Sequence, residues 1–331
     1  MKRARILAGV VIAVAAMGCE DSFSPKIPFQ EIPVVFCVLK ASYTRLPSGQ
    51  EAVVSRTYDV EGVDPAAPHA DPALSGVKLT VRANSREYLF AERVIPGEDS
   101  SKFADPGTYA HPSVVLYPFD SLSLKAVLPD GKTLTARTFV PSLVGLESAP
   151  LYPHGFTTRV NRFTEGEVFS FDWDDGNQEE HLFFPKLSLV YSEKVGTREV
   201  GRTLEVPFQY VNQNGGLTPV YPSYQTAKTC AFPFDVIDEA MRQIGTGKPD
   251  STVITVMNIV FDLTEFDFAL SRYYASVNGY LDRYSVRTDE SVYNNISGGI
   301  GIFGSRMDSK YSYPMDRKYV ESFGYRYAGP N

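Results

Sequence analysis

The chain has 331 residues, a formal charge of −7, 43% hydrophobic residues and 21% charged residues. That is a globular composition, long enough for two domains at ~100–200 residues each. An acidic chain with no run of basic residues argues against nucleic acid as a partner.

The first residues read as an export leader. Lys2, Arg3 and Arg5 form a basic start, and Ile6 to Ala16 is apolar. The apolar run is too short for a bilayer-spanning helix of about 20 residues but suits a secretory signal. Ala16-Met17-Gly18-Cys19 then resembles a bacterial lipobox, with Ala where Leu is usual. It implies cleavage after residue 18 and a lipid on the Cys19 thiol. Glu20 and Asp21 follow, and residues 19–33 carry three prolines, which reads as an extended tether.

Val34 to Leu39 is a continuous apolar strand expected at a sheet centre, and Ala52 to Val60 is a second strand. Glu61–Pro72 and Pro96–Pro112 are long polar loops around short strands at Val77–Val81 and Glu87–Val94. Asp120 to Val140 is the clearest element. Leu122, Leu124, Ala126 and Leu128 alternate with polar residues, Pro129-Asp130-Gly131 turns the chain, and Leu134, Ala136 and Thr138 alternate again. Period-two alternation around such a turn is a β-hairpin, with φ > 0 expected at Gly131. Six or so short strands over residues 34–142 predict an immunoglobulin-like β-sandwich.

Residues 143–331 predict a second β-rich domain, entered through a Pro- and Gly-punctuated linker. Its strands are expected at Glu167–Trp173, Leu182–Tyr191, Leu204–Val211 and Val253–Leu263, with short helices near 235–244 and 265–279. Asp235 is placed to cap the first helix, and Gly245 lies just past its end. The fold class is therefore mainly β, with a sandwich first and two short helices in the second part.

Motifs for chemistry are weak. Gly299-Ile300-Gly301-Ile302-Phe303-Gly304 matches GxGxxG, but no βαβ unit surrounds it and Pro314 follows. Close backbone packing or a bulge in a terminal strand explains the glycines better. Asp172, Asp174 and Asp175 cluster at a turn without calcium-loop spacing. His69, His111, His154 and His181 are scattered, with no zinc motif and no GxSxG elbow. No catalytic residue, metal or cofactor is therefore assigned. Cys37 and Cys230 read either as small buried thiols or as a bridge. The 20 Tyr and 21 Phe suit strands, or else a binding face. Tyr109, His111 and Tyr117 are the candidate binding residues, on and beside a long loop, where rigid scaffolds carry recognition.

Four stretches in order carry a resemblance. They are the leader with its acidic residues; Leu74 to Val81 with the Pro129-Asp130-Gly131-Lys132 hairpin and Val140-Pro141; Phe169-Ser170-Phe171-Asp172-Trp173-Asp174; and Tyr273-Tyr274 with Asn294-Asn295-Ile296 and the glycine stretch. Together they resemble the Bacteroidetes outer-membrane lipoproteins catalogued as domain of unknown function 4249. The resemblance implies a lipid-anchored accessory protein, facing the cell exterior, that works beside a TonB-dependent transporter in nutrient or peptide capture. A structural or adhesive surface lipoprotein is the alternative, and a secreted hydrolase the third.

Overall fold

The computed structural model describes residues 30–57, 73–93, 107–142, 144–146, 168–174, 176, 181–213, 216–247, 253–278 and 292–328. The residues expected to form the leader, Cys19, the start of the expected tether, Asp175 and most of both expected loops lie outside them.

The protein is mainly β. In chain order the strands are β1 (Pro33–Ser42), β2 (Ser48–Arg56), β3 (Lys78–Ala83), β4 (Arg86–Arg93), β5 (Thr108–Val114), β6 (Ser121–Val127), β7 (Thr133–Phe139), β8 (Gly145–Leu146), β9 (Val168–Asp174), β10 (Phe183–Val195), β11 (Arg198–Val206), β12 (Gln209–Gln213), β13 (Gly216–Val220) and β14 (Thr229–Pro233). Helix α1 (Phe234–Gly245), β15 (Ile254–Phe266), α2 (Phe268–Asn278), β16 (Ile300–Pro314), α3 (Arg317–Glu321) and β17 (Arg326–Tyr327) follow.

One large mixed sheet dominates, in the order β11-β10-β15-β16-β1-β2-β5-β4-β3-β6-β7, with β17 beside β15. β1 and β16 run parallel, Val34 opposite Ile300, while β1 and β2 are antiparallel. The path folds back on itself. Buried side chains from β1 to β7 meet in one core with Phe303 and Met307 of β16. The backbone of Thr135 in β7 pairs with Ser297, just before β16.

The second core lies farther along the same sheet. Phe169, Phe171 and Trp173 of β9, Phe261 and Leu263 of β15, Tyr313 of β16 and the apolar side of α1 fill it. Phe171 and Phe261 stack at 3.8 Å with their rings 5° apart. A third, smaller cluster sits under α2, where Leu270 packs with Phe266 and Ile302 and, from β1, Val38. This explains why β1 is apolar along nearly its whole length. Val35, Cys37 and Leu39 enter the first core, and α2 packs on the opposite face.

The hairpin forms from β6 and β7. Gly131 has φ +86°, its N–H donates to Leu128 O at 2.9 Å, and Asp130 Oδ1 accepts from Lys132 N. The glycine stretch opens β16. A Cβ at Gly301, where φ is +125°, would overlap the carbonyl oxygen of Val35, and one at Gly299 would stand 2.6 Å from Pro33 O. These glycines let the parallel strands approach.

Helix α1 starts one residue before the expected site. Pro233 occupies the N-cap and makes no side-chain cap bond; Asp235 lies in the first turn and accepts from the N–H of Val236. Its charge still favours the positive helix end. The short helix α3 has a side-chain cap from Asp316, which accepts from Tyr319 N. Asp316 carries the cap signal, but five residues are too few to show a helical repeat.

Candidate functional site

The chain turns tightly after β5. Asp120 N donates to Tyr117 O at 3.1 Å, which closes a turn with Pro118 and Phe119 at its centre. Phe119 has φ +64°. Position i+2 of a Pro-led turn with positive φ is normally glycine, because a Cβ there is strained. Phe119 is nevertheless 67% exposed, so burial of its ring does not repay that strain.

Fixed partners hold the turn. The buried Asp120 carboxylate accepts from Tyr117 N at 2.9 Å and from Asn84 Nδ2 at 2.5 Å, and it pairs with the Arg86 guanidinium. Arg86 also donates to Val115 O at 2.9 Å, and its guanidinium lies 4.7 Å from the Tyr117 ring centroid. Phe119 N donates to Val140 O at 3.0 Å. β3 and β4 supply Asn84 and Arg86 through their own turn, and Asn84 has φ +52°.

Arg45, in the turn after β1, faces this brace. It has φ +55°, and its guanidinium lies 6.0 Å from the Tyr117 ring. Arg45, Asn84 and Phe119 are the only non-glycine residues with positive φ among the described residues, and all three lie at this end of the protein. Strained backbone that its surroundings enforce is characteristic of binding and switch regions. Arg45, Tyr117, Phe119 and Asp174 line a groove of about 520 Å³, and Tyr43, Leu46 and Tyr117 nearby are also exposed. An aromatic tip with one carboxylate and a guanidinium that has no ion pair among the described residues is suited to recognition. The Asp120 oxygens are already occupied by their donors.

The structure does not bring the three expected binding residues together. Tyr109 is 1% exposed; its hydroxyl donates to Leu74 O at 2.5 Å and accepts from Val77 N at 3.1 Å, so it joins core to backbone. His111 packs edge-on to Tyr88 at 5.2 Å, and its Nδ1 accepts from Ser113 N. It borders a separate groove of about 740 Å³ beside Lys40 and Arg93. Tyr117 alone belongs to the tip. The sequence signal for the site was Pro118-Phe119 followed by Asp120, a turn pattern with an aromatic where glycine is expected.

Other reactive groups serve the frame. His181 Nδ1 stands 2.7 Å from Glu265 Oε1, with side-chain exposures of 5% and 0%. Ser271 donates to Phe266 O and accepts from Leu182 N. Asp267 accepts from Thr138 Oγ1, Ser305 N and Leu270 N, and burial pushes its pKa up to about 6. Cys37 and Cys230 are free and buried in different cores, and burial pushes both thiols up to about 12. Among the described residues no group of His, Cys, Asp and Glu could hold a metal ion, and no helix is long and apolar enough to cross a membrane. The chain matches no protein-family model and no curated protein.

Proposed function

We propose that this chain is a non-enzymatic, lipid-anchored accessory protein of the outer membrane that binds a partner through the Tyr117–Phe119 tip. The observation that carries the proposal is Phe119 itself, an exposed aromatic ring on a strained turn that a buried carboxylate braces. An aromatic held rigid in solvent loses little entropy on binding. We read β1 to β7 with β16 as an immunoglobulin-like sandwich, because β16-β1-β2-β5 and β4-β3-β6-β7 share one core. Recognition by loops at the ends of such a sandwich is a general use of the fold.

The leader supports the location. Lipidation at Cys19 would anchor the chain before β1, and Arg45 follows the far end of that ten-residue strand, about 33 Å along. The tip is read as the surface offered to a partner such as a TonB-dependent transporter engaged in nutrient or peptide capture. The test is co-purification from gently solubilised membranes, comparing the native chain, Phe119→Gly and Cys19→Ser. Phe119→Gly removes the ring and relieves the backbone, so it should keep or raise the melting temperature and lose the partner. Full retention of the partner would sink the tip as the site. Cys19→Ser should release the protein from the membrane in high salt, where acyl anchoring persists, and anchorage of this variant that survives high salt would sink the lipid anchor.

One observation favours a structural or adhesive role. The β12–β13 hairpin carries no charged residue from Gln209 to Val220, β13 is exposed along its length, and the pair stands outside the main sheet. Exposed strands without charges invite pairing with another chain. Concentration-dependent self-association lost in a Leu217→Lys variant would support that reading.

A further inference from the structure

The fold gathers cations that are dispersed in the sequence. On the outer face of β4, β3, β6 and β7, Arg82 lies opposite Ser123, and Ser123 lies opposite Arg137. One row along, Lys125 sits between Thr80 and Thr135, and Lys78 in the next row faces Val127. With strands about 4.8 Å apart and two residues spanning about 6.8 Å, each cation's backbone is about 8 Å from the next. All four side chains are exposed, and none has an ion pair among the described residues. Glu87, opposite Arg82, is the one acidic residue in these rows.

That pattern is unusual for a chain of formal charge −7. Like charges at neighbouring cross-strand positions repel, and about 8 Å is within a physiological Debye length. Two more features point to the partner. Leu89 and Phe139 lie on the same face, at its β4 and β7 margins, and are 58% and 63% exposed. Between them, three cations, Lys78, Arg82 and Lys125, surround a depression of about 320 Å³ with the hydroxyls of Thr80 and Ser123 and one carboxylate, Glu87. Cations at the centre meet phosphates, hydroxyls add hydrogen bonds, and apolar side chains at the margins enter the acyl boundary.

We propose that this face lies against a membrane surface carrying anionic, phosphate-bearing lipid headgroups. The site is separate from the Tyr117 tip and requires no lipid on Cys19. Where an acyl chain is present, the basic face supplies the second signal that stable anchoring requires. It also fixes which side of the protein faces the lipid.

The test uses a chain that begins at position 19 and carries Cys19→Ser, so neither leader nor acyl group contributes. Its co-sedimentation is measured with vesicles of phosphatidylcholine alone and with vesicles containing phosphatidylglycerol. Partition into the anionic vesicles should be the larger and should fall as salt rises. Lys125→Ala or Arg137→Ala should each lower it about five-fold, and the pair about 25-fold. Lys310→Ala, at a cation already paired with Asp262, should leave it unchanged. The melting temperature shows that each variant is folded. Equal partition into neutral and anionic vesicles overturns the proposal, as does indifference to Lys125 and Arg137. Tight binding to inorganic polyphosphate without binding to anionic vesicles also overturns it, and assigns the face to a soluble polyanion.

Discussion

The backbone N–H of Tyr117 donates to the carboxylate of Asp120 at 2.9 Å, so a residue offered to solvent is held in place by one that is buried. The same carboxylate takes Asn84 and Arg86, which ties the tip to the β3–β4 turn. Asp120→Ala would leave these donors without their acceptor. Arg86 is about a third exposed, so water compensates part of the loss. We expect a destabilisation of about 2–3 kcal/mol. Urea unfolding should show a lower midpoint with an unchanged slope, and an unchanged midpoint would contradict the brace.

Gly131 offers a test of backbone strain alone. It has φ +86°, and an added Cβ would meet nothing within 4 Å. Gly131→Val should therefore cost about 1 kcal/mol or more through the strain of the turn itself. Thermal unfolding measures this, and an unchanged melting temperature would refute the strained turn.

Asp267 should make stability depend on pH. Burial raises its folded pKa from 3.8 to about 6. A raised carboxyl contributes fully below the unfolded value of 3.8, and that contribution is lost as pH rises through about 6. The amplitude is on the order of 3 kcal/mol. Asp267→Asn resembles the protonated acid and does not titrate. The stability of the native chain should fall relative to this variant as pH rises from about 4 to about 7. A difference that stays flat across that window would show that Asp267 keeps an ordinary pKa.

Both thiols should be inert in the native protein. Cys37 and Cys230 are buried and held up to about 12. The thiolate is the reacting species, so maleimide at neutral pH should leave both peptides unlabelled. Unfolding without reductant should expose both to labelling. A mass that shows a linked Cys37–Cys230 peptide would contradict the two separate cores.

The hairpin was legible because its information is local. Alternation from Leu122 to Leu128, a Pro-Asp-Gly turn and alternation again set period, turn and register within one short stretch. The parallel pairing of Val34 with Ile300 left no such signature, since parallel partners share no turn. Tyr109 read as a loop residue beside the long loop, but β5 begins at Thr108 and carries it into the core. Thr108, Tyr109 and Ala110 are all buried, so this part of β5 has no alternation that would have revealed it. The tip was half legible. Tyr117 was named from its position, while the φ of Phe119 depends on Asp120, Asn84 and Val140, which act only in three dimensions. The basic face was hidden for the same reason, since positions 78, 82, 125 and 137 form no run.

The pairing of β1 with β16 also sets an order of assembly. Synthesis releases the N-terminal segment first, yet β1 gains its parallel neighbour only after residues 300–314 exist. Closing so long a loop is entropically demanding, and contacts this distant slow folding. An emerging chain that stops short of Ile300 keeps one edge of β1 open, and its first core lacks Phe303 and Met307. Such a chain stays incompletely folded until residues 300–314 have been made, so the first core depends on a segment far along the chain.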